Sequence, residues 1–242
     1  MNGLSSGFAH RNDSHCEKSK ISWQSKIRLG YIVNKLAVFD FDSTLMDGET
    51  IDFLADELGF KAEVAAITEQ AMEGELDFFA SLTRRVALLK GLAKSRVDAV
   101  CQALPLTEGA ADVVTGLQQR GYKVICFSGG FRNATSHFAA QLGLDGDFSN
   151  VLHSEDGILS GLVGGDMMFG FSKGDMLQRL QKLLGVSAED TLVVGDGAND
   201  LSMFKYAGTR IAFCAKPILQ EAATHIVERR DLREVLTIVD GL

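Results

Sequence analysis

The stretch "KLAVFDFDSTL", residues 35–45, decides how the rest of the chain is read. Leu36 to Phe39 are four consecutive apolar residues, the pattern of a short strand buried on both faces. Asp40 and Asp42 follow at once, one residue apart, at the edge of that strand. Taken alone, an Asp-x-Asp pair is as consistent with a surface turn as with a site. The two readings separate only if other strands bring matching chemistry to the same edge.

Working outward, strand-like runs at Lys123–Phe127, Thr191–Val194 and Arg210–Cys214 alternate with helical patterns near 109–120, 131–142, 173–184, 198–207 and 216–223. This alternation predicts an α/β fold with a doubly wound, mostly parallel sheet covered by helices on both faces. Gly121, Gly143, Gly185 and Gly208 each follow a helical run, where a left-handed closing residue is expected. Residues 48–106, ending at Pro105, read as purely helical and are too long for a simple crossover. They predict a small cap inserted after the first strand. The expected domain plan is a polar tail at 1–34, a core at 35–47 and 107–242, and a helical cap at 48–106. Residues 144–169, with "SEDGILSG", predict a β-hairpin or an irregular excursion.

Bulk properties narrow the function classes. A chain of 242 residues with 46% hydrophobic and 23% charged residues has the composition of a soluble globular protein. Its apolar runs fall far short of a membrane span. A net charge of -8 argues against a nucleic-acid partner and leaves any anionic substrate to be met by local groups. Cys16, Cys101, Cys126 and Cys214 show no CxxC spacing, which predicts a reduced, cytoplasmic protein. Residues 1–34 are polar, lack the apolar centre of a secretory signal and read as a loosely ordered tail. No histidine pair has metal-ligand spacing.

The strand ends carry the chemistry, because ligands of a doubly wound sheet bind at the carboxyl ends of its strands. The first strand delivers Asp40 and Asp42. The second delivers Ser128, Gly129 and Gly130, a hydroxyl and exposed backbone N–H groups ahead of a helix, suited to an anion or simply to a flexible turn. The third ends in "GDGAND", residues 195–200, with Asp196, Asn199 and Asp200. That motif is a near miss to a dinucleotide fingerprint, with Asp200 where a third glycine would stand. Two unit charges about 4 Å apart repel by roughly 4 kcal/mol at an effective dielectric near 20. Carboxylates converging on one locus therefore require a cation, and a hard ion held by carboxylates and substrate phosphate is the usual Mg²⁺ arrangement.

Three further residues are out of place. Lys173 lies in the first turn of the helix expected at 173–184, with Ser172 as its cap, so a cation sits at the positive end of the helix dipole. An adjacent anion would offset this; an exposed lysine reaching into water would also explain it. Arg85 falls within the apolar stripe Phe78, Leu82, Arg85, Leu89, either snorkelling to the rim or awaiting a carboxylate. Glu49, ahead of the helix at 50–58, could favour that helix's N-terminus or face a ligand ammonium.

With these residues assembled, "DFDST", "SGGF", Lys173 and "GDGANDLSM" resemble, in order and spacing, the motifs of the haloacid dehalogenase superfamily. "ETIDFLADELG" and "AMEGELDFFASLTRRVALLKGL" are similar to the cap of its phosphoserine phosphatases, and the likeness spans about residues 35–240. The resemblance implies a Rossmann-like core and Mg²⁺-dependent hydrolysis of O-phosphoserine, the last step of serine biosynthesis. It implies Asp40 as nucleophile and Asp42 as general acid and base. Asp40, Asp42 (through its carbonyl) and Asp196 would hold Mg²⁺, with Asp200 in support. Ser128, Gly129 and Lys173 would bind the phosphate, with Gly130 beside them. Glu49 and Arg85, with Asn199 close by, would read the amino acid, and Met72 and Phe78 would wall the pocket. A phosphotransferase, or a phosphatase for another small phosphomonoester, is the alternative. Some relatives carry an N-terminal regulatory domain, which 34 polar residues are not expected to form. The sequence leaves the oligomeric state open.

Overall fold

The computed structural model describes residues 35–72 and 75–242. The tail expected at 1–34, with Cys16, lies outside the described residues, as does the side chain of Met72. Seven strands make one sheet: β1 (Lys35–Asp40), β2 (Tyr122–Phe131), β3 (Gly146–Glu155), β4 (Ile158–Gly165), β5 (Thr191–Gly195), β6 (Thr209–Phe213) and β7 (His225–Val227). Their order is β4-β3-β2-β1-β5-β6-β7, and every pair is parallel except β3 with β4.

β1 is central and buried because Leu36 to Phe39 offer nothing to water. Each of the four is 0% exposed. Strand alternation then divides the core into two layers. Ala37 and Phe39 face one apolar cluster, with Val113 and Leu117 of α5 (Ala110–Gln119) and Phe138 of α6 (Arg132–Leu142). Leu36 and Val38 face the other, with Leu177 and Leu180 of α7 (Ser172–Leu184) and Met203 and Phe204 of α8 (Leu201–Phe204). Burying each of the larger side chains, Leu36, Val38 and Phe39, is worth about 1.5–3 kcal/mol, so β1 fixes both layers. The chain builds from β1 through β2 to β3 on one side and from β5 through β6 to β7 on the other. The strand order therefore reverses between β1 and β5, which opens a crevice at their carboxyl ends.

The helices between β1 and β2 are α1 (Thr50–Leu58), α2 (Lys61–Met72), α3 (Phe78–Ala87) and α4 (Lys94–Gln102). The insertion leaves and rejoins the sheet side by side: Asp47 N–H donates to the Pro105 carbonyl at 2.9 Å and Thr107 N–H to the Leu45 carbonyl at 3.0 Å. Its far end is pinned as well. Gly91 N–H donates to Leu159 O at 2.9 Å, Leu159 N–H to Leu92 O at 2.8 Å and Lys94 N–H to Gly157 O at 2.8 Å. The partner here is the β3–β4 hairpin, which settles the two readings of residues 144–169. Its turn residues Asp156 and Gly157 both have positive φ, 50° and 77°, as a primed turn requires.

Several boundaries differ from expectation. The helix read at 198–207 is a 3₁₀ turn, Ala198–Asp200, followed by the single turn of α8. The run at 216–223 shortens to α9 (Pro217–Gln220), and α10 (Glu234–Asp240) closes the chain. Gly121, Gly143 and Gly185 adopt the expected left-handed backbone, whereas Gly208 does not. Gly208 is required for a different reason: a Cβ there would lie 2.9 Å from Glu189 Cα. Ser172 begins α7 and does not cap it; its hydroxyl accepts from Phe169 N–H at 3.1 Å. Leu89 lies beyond the end of α3. Among the described residues, Cys101, Cys126 and Cys214 are free thiols, and no helix is long and apolar enough to cross a membrane.

Candidate active site

Asp40 is the last residue of β1 and is 2% exposed. Its Oδ1 accepts from Phe41 N–H at 2.6 Å and meets Lys173 Nζ at 2.7 Å. The same ammonium donates to Asp200 Oδ1 at 2.6 Å, with Lys173 and Asp200 3% and 0% exposed. The other oxygen of Asp200 accepts from the backbone N–H groups of Asp196 and Gly197, both at 3.1 Å. Asp200 thus folds the loop after β5 around itself. Gly195 is obligatory there, since a Cβ would lie 2.3 Å from Asp200 Oδ2.

One carboxylate oxygen each from Asp40, Asp196 and Asp200 lie within 4.8 Å of one another. Burial raises Asp40 well above the usual carboxylate range, and Asp200 adds to this against the pull of Lys173. Burial and then Asp200 push Asp196 to about 6. Lys173 moves up: burial opposes its charge, but Asp200 and Asp40 outweigh it. One ammonium among two buried carboxylates and the half-buried Asp196 leaves an excess of negative charge. The oxygen-only donor set suits a hard divalent cation such as Mg²⁺.

Asp42 sits in a wide turn, Phe41–Leu45, where Ser43 takes a left-handed φ of 58°. A β-carbon there costs about 1–2 kcal/mol. Ser43 N–H donates to Gly48 O at 2.7 Å, and its hydroxyl to Glu49 Oε1 at 2.8 Å, so the turn also sets Glu49. The Asp42 carboxylate accepts from Thr50 N–H at 2.7 Å, Thr50 Oγ1 at 2.5 Å and Ser128 Oγ at 3.1 Å. Ser128 in turn accepts from Gly130 N–H at 2.8 Å.

Residues 128–130, expected just beyond the second strand, lie within β2 as a bulge. The pairing with β3 jumps from Phe127↔Phe148 to Phe131↔Asn150. A bulge bends its strand and re-aims side chains, which here turns Ser128 toward Asp42. The glycines are spatial requirements: a Cβ on Gly129 would be 2.7 Å from the Phe78 ring, and one on Gly130 would be 2.6 Å from Asp42 Oδ2.

A cavity of 630 Å³ opens above these groups. Asp40, Asp42, Asp196, Asn199, Gly129 and Gly130 form its floor, and Glu49, Phe78, Leu82 and Arg85 of the insertion form its roof. Ser128, Lys173 and Asp200 lie beneath the surface and support it. Among the described residues the Arg85 guanidinium makes one hydrogen bond, Nε to Ser81 O at 3.3 Å, which leaves its outer fork open to the cavity. Burial lowers Arg85, and Glu49 and Asp52 oppose that shift. Burial, followed by Asp42, pushes Glu49 to about 8.

Thr50 and Lys216 escaped the sequence reading. A threonine opening a helix reads as a helix-start residue, so its grip on Asp42 left no trace. Lys216 lines the cavity and its N–H donates to Asp196 O at 2.9 Å. The strand-end rule, extended to β6, would have found it.

The crevice, its acidic floor and the helical roof define a hydrolase: the chain belongs to the haloacid dehalogenase-like hydrolases, whose family model matches residues 34–208. Within that family it groups with the phosphoserine phosphatases. It is 62% identical over 202 residues to the phosphoserine phosphatase of Wolinella succinogenes, across 84% of this chain and 98% of that protein. It is 49% identical over 205 residues to that of Methanocaldococcus jannaschii, across 85% and 97%. A solved substrate-bound phosphoserine phosphatase complex superposes with a TM-score of 0.80 at 49% identity, over 85% of this chain and 98% of that one. A phospho-aspartyl intermediate analogue of phosphoserine phosphatase matches equally well.

Proposed function

We propose that this chain hydrolyses O-phosphoserine to serine and inorganic phosphate through an aspartyl-phosphate on Asp40, as the last step of serine biosynthesis in the cytoplasm. The observation that carries the reading is the shared cavity, in which Glu49 and Arg85 face the carboxylates of Asp40 and Asp42. A volume of 630 Å³ suits one small amino-acid ester, with a carboxylate partner in Arg85 and an ammonium partner in Glu49.

In the first transfer an Asp40 carboxylate oxygen attacks phosphorus as the bond to the seryl oxygen breaks. Asp42 gives its proton to that oxygen, which would otherwise leave as an alkoxide. General acid catalysis of this kind contributes roughly 10²–10⁴ in rate. In the second transfer Asp42 takes a proton from water, the oxygen attacks phosphorus, and the bond to Asp40 breaks. Lys173, the Ser128 hydroxyl and the Gly129 N–H hold the phosphoryl oxygens, and Phe78 walls the pocket. Asp40, Asp196 and the Asp42 carbonyl would hold Mg²⁺, with Asp200 fixing the loop. Mg²⁺ would supply charge stabilisation on the phosphoryl oxygens. Residues 48–106 would act as a cap domain over a core of 35–47 and 107–242, excluding bulk water during the first transfer.

The test is phosphate release from O-phosphoserine by purified protein, with and without EDTA. Metal-dependent release is expected, with Arg85→Ala losing about 10- to 100-fold in kcat/KM on phosphoserine and little on p-nitrophenyl phosphate. Equal losses on both substrates, or a faster transfer to an added alcohol than to water, would replace this reading with another phosphomonoester or a phosphotransferase.

A further inference from the structure

Three phenylalanines stack in solvent beside the cavity. The rings of Phe79 and Phe169 lie 5.2 Å apart and 13° from parallel, and those of Phe169 and Phe171 lie 5.2 Å apart and 1° from parallel. They are 41%, 46% and 59% exposed. Phe79 belongs to the insertion, in the first turn of α3, and Phe169 and Phe171 belong to the loop that leads into Lys173. Both supports are stiff. Asp77 caps α3 through Ala80 N–H at 2.8 Å. Ser172 N–H donates to Phe169 O at 3.0 Å, and Asp175 N–H to Phe171 O at 3.2 Å.

The position ties this stack to the cavity. Phe78, adjacent to Phe79, rests against Gly129, and Arg85 follows on the same helix. Gly170, between the other two rings, lines the cavity as well. Further along, the insertion is fastened by the three backbone hydrogen bonds between residues 91–94 and the β3–β4 hairpin. The insertion is therefore tied by backbone hydrogen bonds at residues 91–94 and at its base, whereas at the cavity mouth α3 meets the core through Phe78 against Gly129 and the exposed Phe79–Phe169 ring pair.

We propose that Phe79, Phe169 and Phe171 form an aromatic latch: opening of the insertion pivots on residues 91–94, and release of the Phe79–Phe169 contact lifts Phe78 and Arg85 off the phosphate-binding floor. Its use in catalysis rests on the phosphatase reading above. Stacked aromatic pairs are weak enough to break in each turnover and strong enough to bias a two-state element by about two- to tenfold.

The test is amide hydrogen exchange on the unliganded full chain, for wild type, Phe79→Ala and Phe79→Tyr, together with steady-state kinetics on phosphoserine. In Phe79→Ala, exchange across Phe78–Ala87 should quicken about two- to tenfold, with residues 91–94 and 157–159 unchanged and the melting temperature held. KM should rise by a similar factor, and Phe79→Tyr, which keeps the ring, should restore both. Unchanged exchange in α3 would overturn the latch, and equal acceleration at 91–94 would overturn the pivot. Exchange is read without substrate. A wild type that ignores phosphoserine while Phe79→Ala loosens α3 would sink the phosphatase reading and leave the latch standing.

Discussion

Lys173 shows how a side chain can be legible in sequence while its partners stay hidden. Its unfavourable place in the first turn of α7 flagged an anion nearby, and the nearest anions are Asp40 and Asp200. Contacts across 133 and 27 positions of chain follow from the sheet order, which no local pattern carries. Removing the ammonium leaves two buried carboxylates facing each other. Lys173→Ala should cost about 3–5 kcal/mol, read from urea unfolding. Thr50 is the converse case, invisible in sequence and central in the fold. Thr50→Val deletes the hydroxyl that donates to Asp42 and keeps the N–H. A hydrogen bond to a charged group is worth about 1.5–3 kcal/mol, so kcat should fall at least about tenfold while KM barely moves.

At the scale of elements, β1 announced itself because four apolar residues in a row suit only a strand covered on both faces. The loop after β5 did not. Its helical pattern at 198–207 is overridden by Asp200, whose carboxylate gathers the N–H groups of Asp196 and Gly197 and tightens the start into a 3₁₀ turn. β7, three residues long, is too short to show a period. The bulge in β2 was also hidden, since "SGGF" reads as a turn until β3 is laid beside it. Gly130→Ala tests that bulge. The added carbon would meet Asp42 Oδ2 at 2.6 Å and push the carboxylate aside. A displacement near 1 Å typically costs on the order of 10²-fold, so kcat/KM should drop by that order with circular dichroism unaltered.

For the whole molecule, the doubly wound class followed from alternation, whereas the strand order had to be seen. The same holds for the closure of the chain. Leu232 N–H donates to Glu108 O at 2.9 Å, and Arg233 reaches Glu108 Oε1 at 2.5 Å and Asp231 Oδ2 at 2.8 Å. This clamp joins the C-terminal segment to the start of α5. Hydrogen bonds from Arg233 hold Asp231 down from its ordinary 3.8 to about 2. A depressed folded-state value means the clamp's contribution is complete above about pH 4 and fades as pH falls toward 2. The stability gap between wild type and Asp231→Asn should therefore be constant near neutrality and shrink across that window in urea titrations.

An amine clamped as an ammonium between two carboxylates and shut away from water has no lone pair to offer an electrophile. In an acetylation footprint of the folded protein, Lys173 should be the last lysine in α7 or on the cavity rim to take the label, well after Lys182 and Lys216. Its modification would be a chemical alarm for collapse of the acidic floor, readable by mass spectrometry without any substrate.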